Sequence, residues 1–130
     1  MPALEAFSHV SLTVTDPERS AEFYNRVLGT ETVFSAGADT GRLVVVARPG
    51  VTIALRDHPE GTGESFDPVH VGLDHLAFQV SSQAELESWH RSLEAQGVTC
   101  STIEASPFGL HLNLKDPDKI AIELFVSQPS

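Results

Sequence analysis

The chain has 130 residues, 41% of them hydrophobic, with eighteen acidic residues against eight basic ones and a formal charge of −10. That length fits one domain able to bury roughly two-thirds of its unfolded surface, and a single cysteine, Cys100, excludes an intramolecular disulfide framework and a cysteine metal finger. The scattered basic residues exclude nucleic acid as a partner, since phosphate binding needs a clustered cationic surface, and no segment has the pattern of a membrane span or a signal peptide; a soluble cytoplasmic protein is expected.

A first strand is predicted over about Phe7 to Thr15, with His9, Ser11 and Thr13 on one face and Val10, Leu12 and Val14 on the other. Asp16-Pro17 then opens a helix, Asp as the N-cap and Pro at the first helical position, where a missing N–H costs nothing. Ala21, Tyr24, Val27 and Leu28 give this helix one apolar stripe, and Gly29 ends it. Strands are expected over about Glu31 to Ser35, Arg42 to Arg48 and Val51 to Arg56, the last two joined by a Pro49-Gly50 turn suited to type II geometry. Residues 57–72, rich in Pro, Gly and acids, form a linker.

The pattern then repeats. A strand over Asp74 to Val80 leads into Ser82-Gln-Ala-Glu85, a capping box, and a helix with Leu86, Trp89, His90 and Leu93 on one face ends at Gly97. Three strands follow, at about Val98 to Ile103, Leu110 to Leu114 and Ile120 to Val126, with an Asp116-Pro-Asp-Lys119 turn before the last. The chain therefore reads as one α+β domain, residues 1–130, of two βαβββ modules at about 7–56 and 73–126.

Each helix has to bury its stripe on one face of its sheet, so residues of the opposite parity face away from it. This places His9, Ser11 and Thr13 on the non-helix face with Thr52, Ala54 and Arg56, and likewise His75, Ala77 and Gln79 with Ala121, Glu123 and Phe125. Should the sheets curl toward one another, that face lines a cavity. A carboxylate on an apolar strand needs a partner, and two imidazoles with one carboxylate form the donor set of a divalent-metal site, the facial triad of non-haem Fe(II) enzymes among them. His9, His75 and Glu123 are the candidate metal ligands. Taken singly, each histidine has the ordinary reading of a hydrogen-bonded partner, and Glu123 could pair with Arg56; the registration of His9 with His75 favours the joint reading. His111 either faces the cavity as an acid or base or is a solvated surface histidine, and Cys100 reads as a small core residue. His58, His70 and His90 fall in the linker or on a helix, where solvated or core-edge roles are expected.

Three stretches, His9 to Tyr24, Asp74 to Val80 and Asp116 to Leu124, resemble the vicinal oxygen chelate superfamily, which includes glyoxalase I, extradiol dioxygenases, fosfomycin-resistance enzymes and bleomycin-resistance proteins. The resemblance implies two βαβββ modules whose mixed sheets curl into a metal-binding cleft, usually in a homodimer. It also maps the His, His, Glu set of extradiol dioxygenases and fosfomycin-resistance enzymes onto His9, His75 and Glu123. The first-module glutamate of glyoxalase I falls at Ala54, and the lysine and C-terminal arginine that hold a phosphonate have no match. Where relatives often carry glycine, this chain has Lys119.

The function expected is a divalent-metal enzyme, Fe²⁺ favoured over Mn²⁺, Zn²⁺, Ni²⁺ or Co²⁺, acting on a small substrate that chelates through adjacent oxygens. Extradiol-type dioxygenase chemistry leads, followed by glyoxalase-like lyase or isomerase chemistry. His111 is the candidate proton shuttle, with Ser11, Arg56, Gln79, Asn113 and Phe125 facing the substrate. The competing expectation is a metal-free drug-binding protein of the bleomycin-resistance type, whose cationic ligand the acidic charge would suit.

Overall fold

The structure, a computed structural model, describes residues 1–128. The chain divides into two compact units, Met1–Glu64 and a second beginning at Ser65. Each contains one βαβββ module.

In the first unit the order is β1 (Val10–Thr13), α1 (Pro17–Leu28), β2 (Glu31–Ala38), β3 (Gly41–Arg48) and β4 (Val51–Arg56). The sheet runs β1-β4-β3-β2, with β1 parallel to β4 and the other pairs antiparallel. Asp16 caps α1 by accepting the N–H groups of Glu18 and Arg19, and Gly29 ends it in the left-handed region at φ 73°. The helix lays Ala21, Tyr24, Val27 and Leu28 over Leu12, Val44, Val46, Ile53 and Leu55, and all of these are buried. At about 1.5–3 kcal/mol for each large apolar side chain, this burial fixes which face of the sheet the helix covers.

The second unit repeats the arrangement with β5 (Leu76–Gln79), α2 (Gln83–Ala95), β6 (Glu104–Ser106), β7 (Gly109–Lys115) and β8 (Ala121–Ser127), in the order β5-β8-β7-β6. Again only the outer pair, β5 with β8, is parallel. Ser82 caps α2 through the N–H of Glu85, and the helix buries Leu86 and Leu93, on the side of the sheet that carries Leu112, Leu114, Ile122 and Leu124. Among the described residues no helix is long and apolar enough to cross a membrane.

The α+β fold of two βαβββ modules expected from the sequence is present, with local differences, among them that β2 runs on to Ala38 and β5 begins only at Leu76. The first strand is shorter than Phe7 to Thr15, so His9 stands immediately before β1. The stretch Val98 to Ile103 is not a strand: it makes one bridge, Cys100 to Leu114, and the strand forms later at Glu104–Ser106. The cause is Ser101. Its N–H donates to the Asn113 carbonyl, but its hydroxyl, 2.9 Å away, takes the Asn113 N–H that a regular ladder would use.

The turn between β7 and β8 is built on Asp116, a buried side chain whose Oδ1 accepts the N–H groups of Asp118 and Ile120, each at 2.9 Å. Lys119 in this turn has φ 66°. The corresponding turn of the first unit places Gly50 at φ 79°.

Candidate metal and substrate site

The parity that buries one face of each sheet sets out the other. In the second unit, register places Ala77, Glu123 and Asn113 side by side across β5, β8 and β7, and Gln79, Phe125 and His111 in the next row, with Glu104 beyond His111 on β6. All face away from α2, since their strand neighbours Ile122, Leu124 and Leu112 are buried beneath it.

His75, at the entrance to β5, reaches this surface. Its Nε2 lies 3.4 Å from Oε2 of Glu123, and its Nδ1 lies 2.7 Å from Oδ1 of Asp74. An ionised Asp74 can only accept, so Nδ1 carries the hydrogen and the lone pair of a neutral ring is left at Nε2. That lone pair faces a carboxylate oxygen. Two acceptors at this separation need a cation shared between them, a proton or a metal ion, so the chemistry of the pair fits a divalent ion. Glu123 is the more buried partner, its side chain 17% exposed against 45% for His75, which makes an unshared charge there costly. Among the described residues of the whole chain no group of three or more His, Cys, Asp or Glu is placed to hold a metal ion, so the structure does not assemble the three candidate ligands.

The pair opens onto a pocket of about 770 Å³ contained in the second unit. Asp74, His75, Cys100, Asn113 and Glu123 are in its walls, with Lys115 at one side. Two of these, Asp74 and Cys100, were not expected at the site. The adjacency Asp74-His75 was a readable signal for the first. The second differs from the core role expected of it: Cys100 is half-buried at the pocket wall. Burial, and secondarily the charge of Glu94, push its thiol above the usual range.

His111 is half-buried, its side chain 19% exposed, and its Nε2 lies 3.7 Å from Oε2 of Glu104. It sits on the open face of the sheet, in register with Phe125. Gln79 is held by its neighbours, donating to the Val80 carbonyl and accepting from the Ser127 hydroxyl.

The remaining candidates belong to the first unit. His9 has its Nδ1 2.9 Å from the Ser8 hydroxyl. As at His75, the residue just before the histidine engages Nδ1 and leaves Nε2 free for another partner. Ser11 pairs in register with Ala54, and Thr13 with Arg56, on the face away from α1. Ala54 takes the place that Glu123 holds in the second unit, so the first sheet offers no carboxylate there.

The sequence profile of the Glyoxalase/Bleomycin resistance protein/Dioxygenase superfamily matches residues 6–124. A solved glyoxylase/bleomycin resistance protein/dioxygenase domain from Frankia sp. EAN1pec superposes with a TM-score of 0.89 at 32% identity, covering 98% of this chain and 96% of that one. The fosfomycin resistance protein FosX from Listeria monocytogenes, solved in complex with Mn(II) and a sulfate ion, superposes with a TM-score of 0.69 at 22% identity, covering 97% and 95%. A trivalent organoarsenical cleaving enzyme from Bacillus sp. (strain MD1) is 29% identical over 133 residues, which span 94% of this chain and 73% of the enzyme.

Proposed function

Because the chain belongs to the glyoxalase/bleomycin resistance protein/dioxygenase superfamily, we propose that it is a divalent-metal-dependent enzyme whose metal is held by His75, Glu123 and His9. The observation that carries this reading is the His75–Glu123 pair, an imidazole lone pair turned on a carboxylate oxygen at 3.4 Å with Asp74 fixing the tautomer behind it. The two-histidine, one-carboxylate set leaves coordination positions open, and the mapping of Glu123 onto Ala54 in the first unit supports three protein ligands over four. The Mn(II) complex of FosX supports a divalent ion in such a fold. Fe²⁺ is the favoured metal, with Mn²⁺, Zn²⁺, Ni²⁺ and Co²⁺ compatible with the same donors.

When bound, the metal would supply Lewis acidity toward two adjacent substrate oxygens. The protein's own groups do the rest. Asn113 beside Glu123 offers amide hydrogen bonds to the substrate, and Phe125 offers a flat apolar wall. His111, with Glu104 3.7 Å from its Nε2, takes or returns a proton from the substrate. Ser11, Gln79 and Arg56 face the substrate from their sheets. Among reactions, extradiol-type ring cleavage leads, and glyoxalase-like lyase or isomerase chemistry follows.

A second substrate class is favoured by one observation. Cys100 lies in the wall of the same pocket as His75 and Glu123, and the organoarsenical cleaving relative acts on a thiophilic element. Cleavage of a carbon–arsenic bond therefore belongs on the substrate panel.

The test is metal analysis followed by turnover. The purified chain should take up one divalent ion per site, with the uptake lost in His75→Ala, Glu123→Ala and His9→Ala. The Fe(II)-loaded protein should then consume oxygen with a catechol or release arsenite from a trivalent phenylarsenical, and His111→Gln should lower that turnover by about 10²–10⁴-fold. A chain that binds no metal, and whose ligand functions survive His75→Ala, is a binding protein instead.

A further inference from the structure

One end of the second sheet carries a cation that the metal reading leaves unused. Lys115, at the end of β7, pairs in register with Ala121 on β8, in the row next to the Asn113–Glu123 pair and on the same face. His75 stands just before Leu76, which pairs with Ile122 across the parallel ladder, so continuing that register brings His75 opposite Ala121 from the other side. Ala121 therefore lies between Lys115 and His75, whose Cα atoms are roughly 10 Å apart across two strand spacings. Its single methyl group leaves the space between them open. Lys115, His75, Ala121 and Glu123 all belong to the walls of the pocket of about 770 Å³.

Of the three basic residues from Ser65 onward, Arg91, Lys115 and Lys119, Lys115 is the one in the pocket wall. No ion pair among the described residues includes it. Glu123, its diagonal neighbour across the ladder, turns instead to His75, with Oε2 3.4 Å from Nε2. The lysine is exposed, so its ammonium, on a flexible four-carbon stem, is free to meet a ligand in the pocket. The carboxylates of the wall are Asp74 and Glu123. A divalent ion held by the His75–Glu123 pair would offset both, and Lys115 then gives the pocket an excess of positive charge. In a chain of net charge −10, such a local excess selects for an anion.

We propose that Lys115 is the specificity-determining residue of this pocket: it takes the carboxylate of a small organic acid whose two chelating oxygens lie across Ala121, on the side of His75 and Glu123. The inference rests on the metal reading above and adds the charge and the orientation of the substrate to it. The ammonium supplies a point charge with three donors, which meets a carboxylate without demanding one fixed geometry. A single aromatic ring is long enough to bridge the gap over Ala121 once the lysine stem leans inward.

Two probes that differ in that charge test it, 3,4-dihydroxybenzoate and 3,4-dihydroxybenzamide, titrated calorimetrically into the Mn(II)-loaded full chain at low and at high ionic strength. Mn(II) binding is measured first, separately. The expected result is that the acid binds about 5-fold or more tightly than the amide at low salt, the upper end of what one exposed ion pair supplies, and that the preference shrinks as salt is added. Lys115→Met should abolish the preference, leave the affinity for the amide as it was and not weaken Mn(II) binding. Lys115→Arg, which keeps the charge, should retain it. Equal affinity for the two probes, failure of both to bind, or a preference that survives Lys115→Met overturns the role of Lys115 with the metal reading intact. Failure of the wild-type chain to bind Mn(II) overturns the metal reading, and this inference with it. Lys115 is exposed, so its replacement removes no core contact, and the acid-to-amide comparison on the wild-type chain is independent of how well any variant folds.

Discussion

Nε2 of His75 lies 3.4 Å from Oε2 of Glu123, with the opposite ring nitrogen held by Asp74. The relationship arises from strand register. β5 runs parallel to β8 with Ala77 opposite Glu123, so the residue two positions before Ala77 comes to the glutamate from one side, and a small side chain at 77 leaves it room. Ile122 and Leu124, buried beneath α2, hold the glutamate's strand in that register. A hydrophobic pattern thus aims a polar pair.

Asp74 should therefore act on the metal without touching it. Removing the group behind a ligating imidazole typically costs about 10–100-fold in metal affinity. Asp74→Ala is expected to lower divalent-ion affinity by about that factor, and Asp74→Asn by less, since its amide oxygen still accepts from Nδ1. Competition with a chromophoric chelator measures both. Unchanged affinity in Asp74→Ala would detach this carboxylate from the site.

Cys100 should be a slow thiol despite its place on the pocket wall. Burial raises its pKa first and the Glu94 charge second, so at pH 8 less of it is thiolate than in a free cysteine. Alkylation by iodoacetamide at that pH should be slower than that of a small-molecule thiol, with the rate still climbing as pH rises through the usual cysteine range. Glu94→Gln, which removes the lesser cause, should speed the reaction modestly. A rate already level by pH 8 would contradict the raised pKa.

Much of the fold was legible because its signals are local or periodic. The Asp16-Pro17 cap, the Gly29 stop and the alternating Leu12, Val14 and Ile53, Leu55 positions each carry their own physics. The same parity placed His75, Glu123, Asn113 and His111 on one face before any geometry was known. What failed was the strand from Val98 to Ile103. Nothing in that apolar-polar alternation shows that the Ser101 hydroxyl will take the Asn113 N–H, because the competitor for the ladder bond is a side chain. Cys100, which keeps its bridge to Leu114, stands at the pocket wall next to that irregular segment. The role of Asp74 needed side-chain geometry, and its exposure concealed it as an ordinary surface acid.

Asp116 holds the turn that starts the glutamate's strand. Its buried carboxylate accepts two backbone N–H groups, and bonds to a charged acceptor contribute about 1.5–3 kcal/mol each. Asp116→Ala leaves both donors unpaired and should cost about 3–6 kcal/mol in chemical denaturation. Asp116→Asn, which keeps one oxygen in place, should cost less. Loss of stability well under 1 kcal/mol in the alanine variant would mean that water replaces both bonds.

Lys119 closes the same turn with its backbone at φ 66°, where a side chain is strained. Gly50, in the matching turn of the first unit, adopts φ 79° without that cost. The left-handed conformation costs a residue with a Cβ about 1–2 kcal/mol. Glycine gives back about 0.5–1 kcal/mol through its greater freedom in the unfolded chain. Lys119→Gly is therefore expected to stabilise the protein by about 0.5–1 kcal/mol, a rise of a few degrees in Tm for a chain of this size. Lys119 is exposed and distant in register from His75 and Glu123, so metal affinity should not change. A thermal melt with and without the ion reads both quantities at once, and a lower Tm in the glycine variant would show that the lysine side chain contributes more than its backbone strain costs.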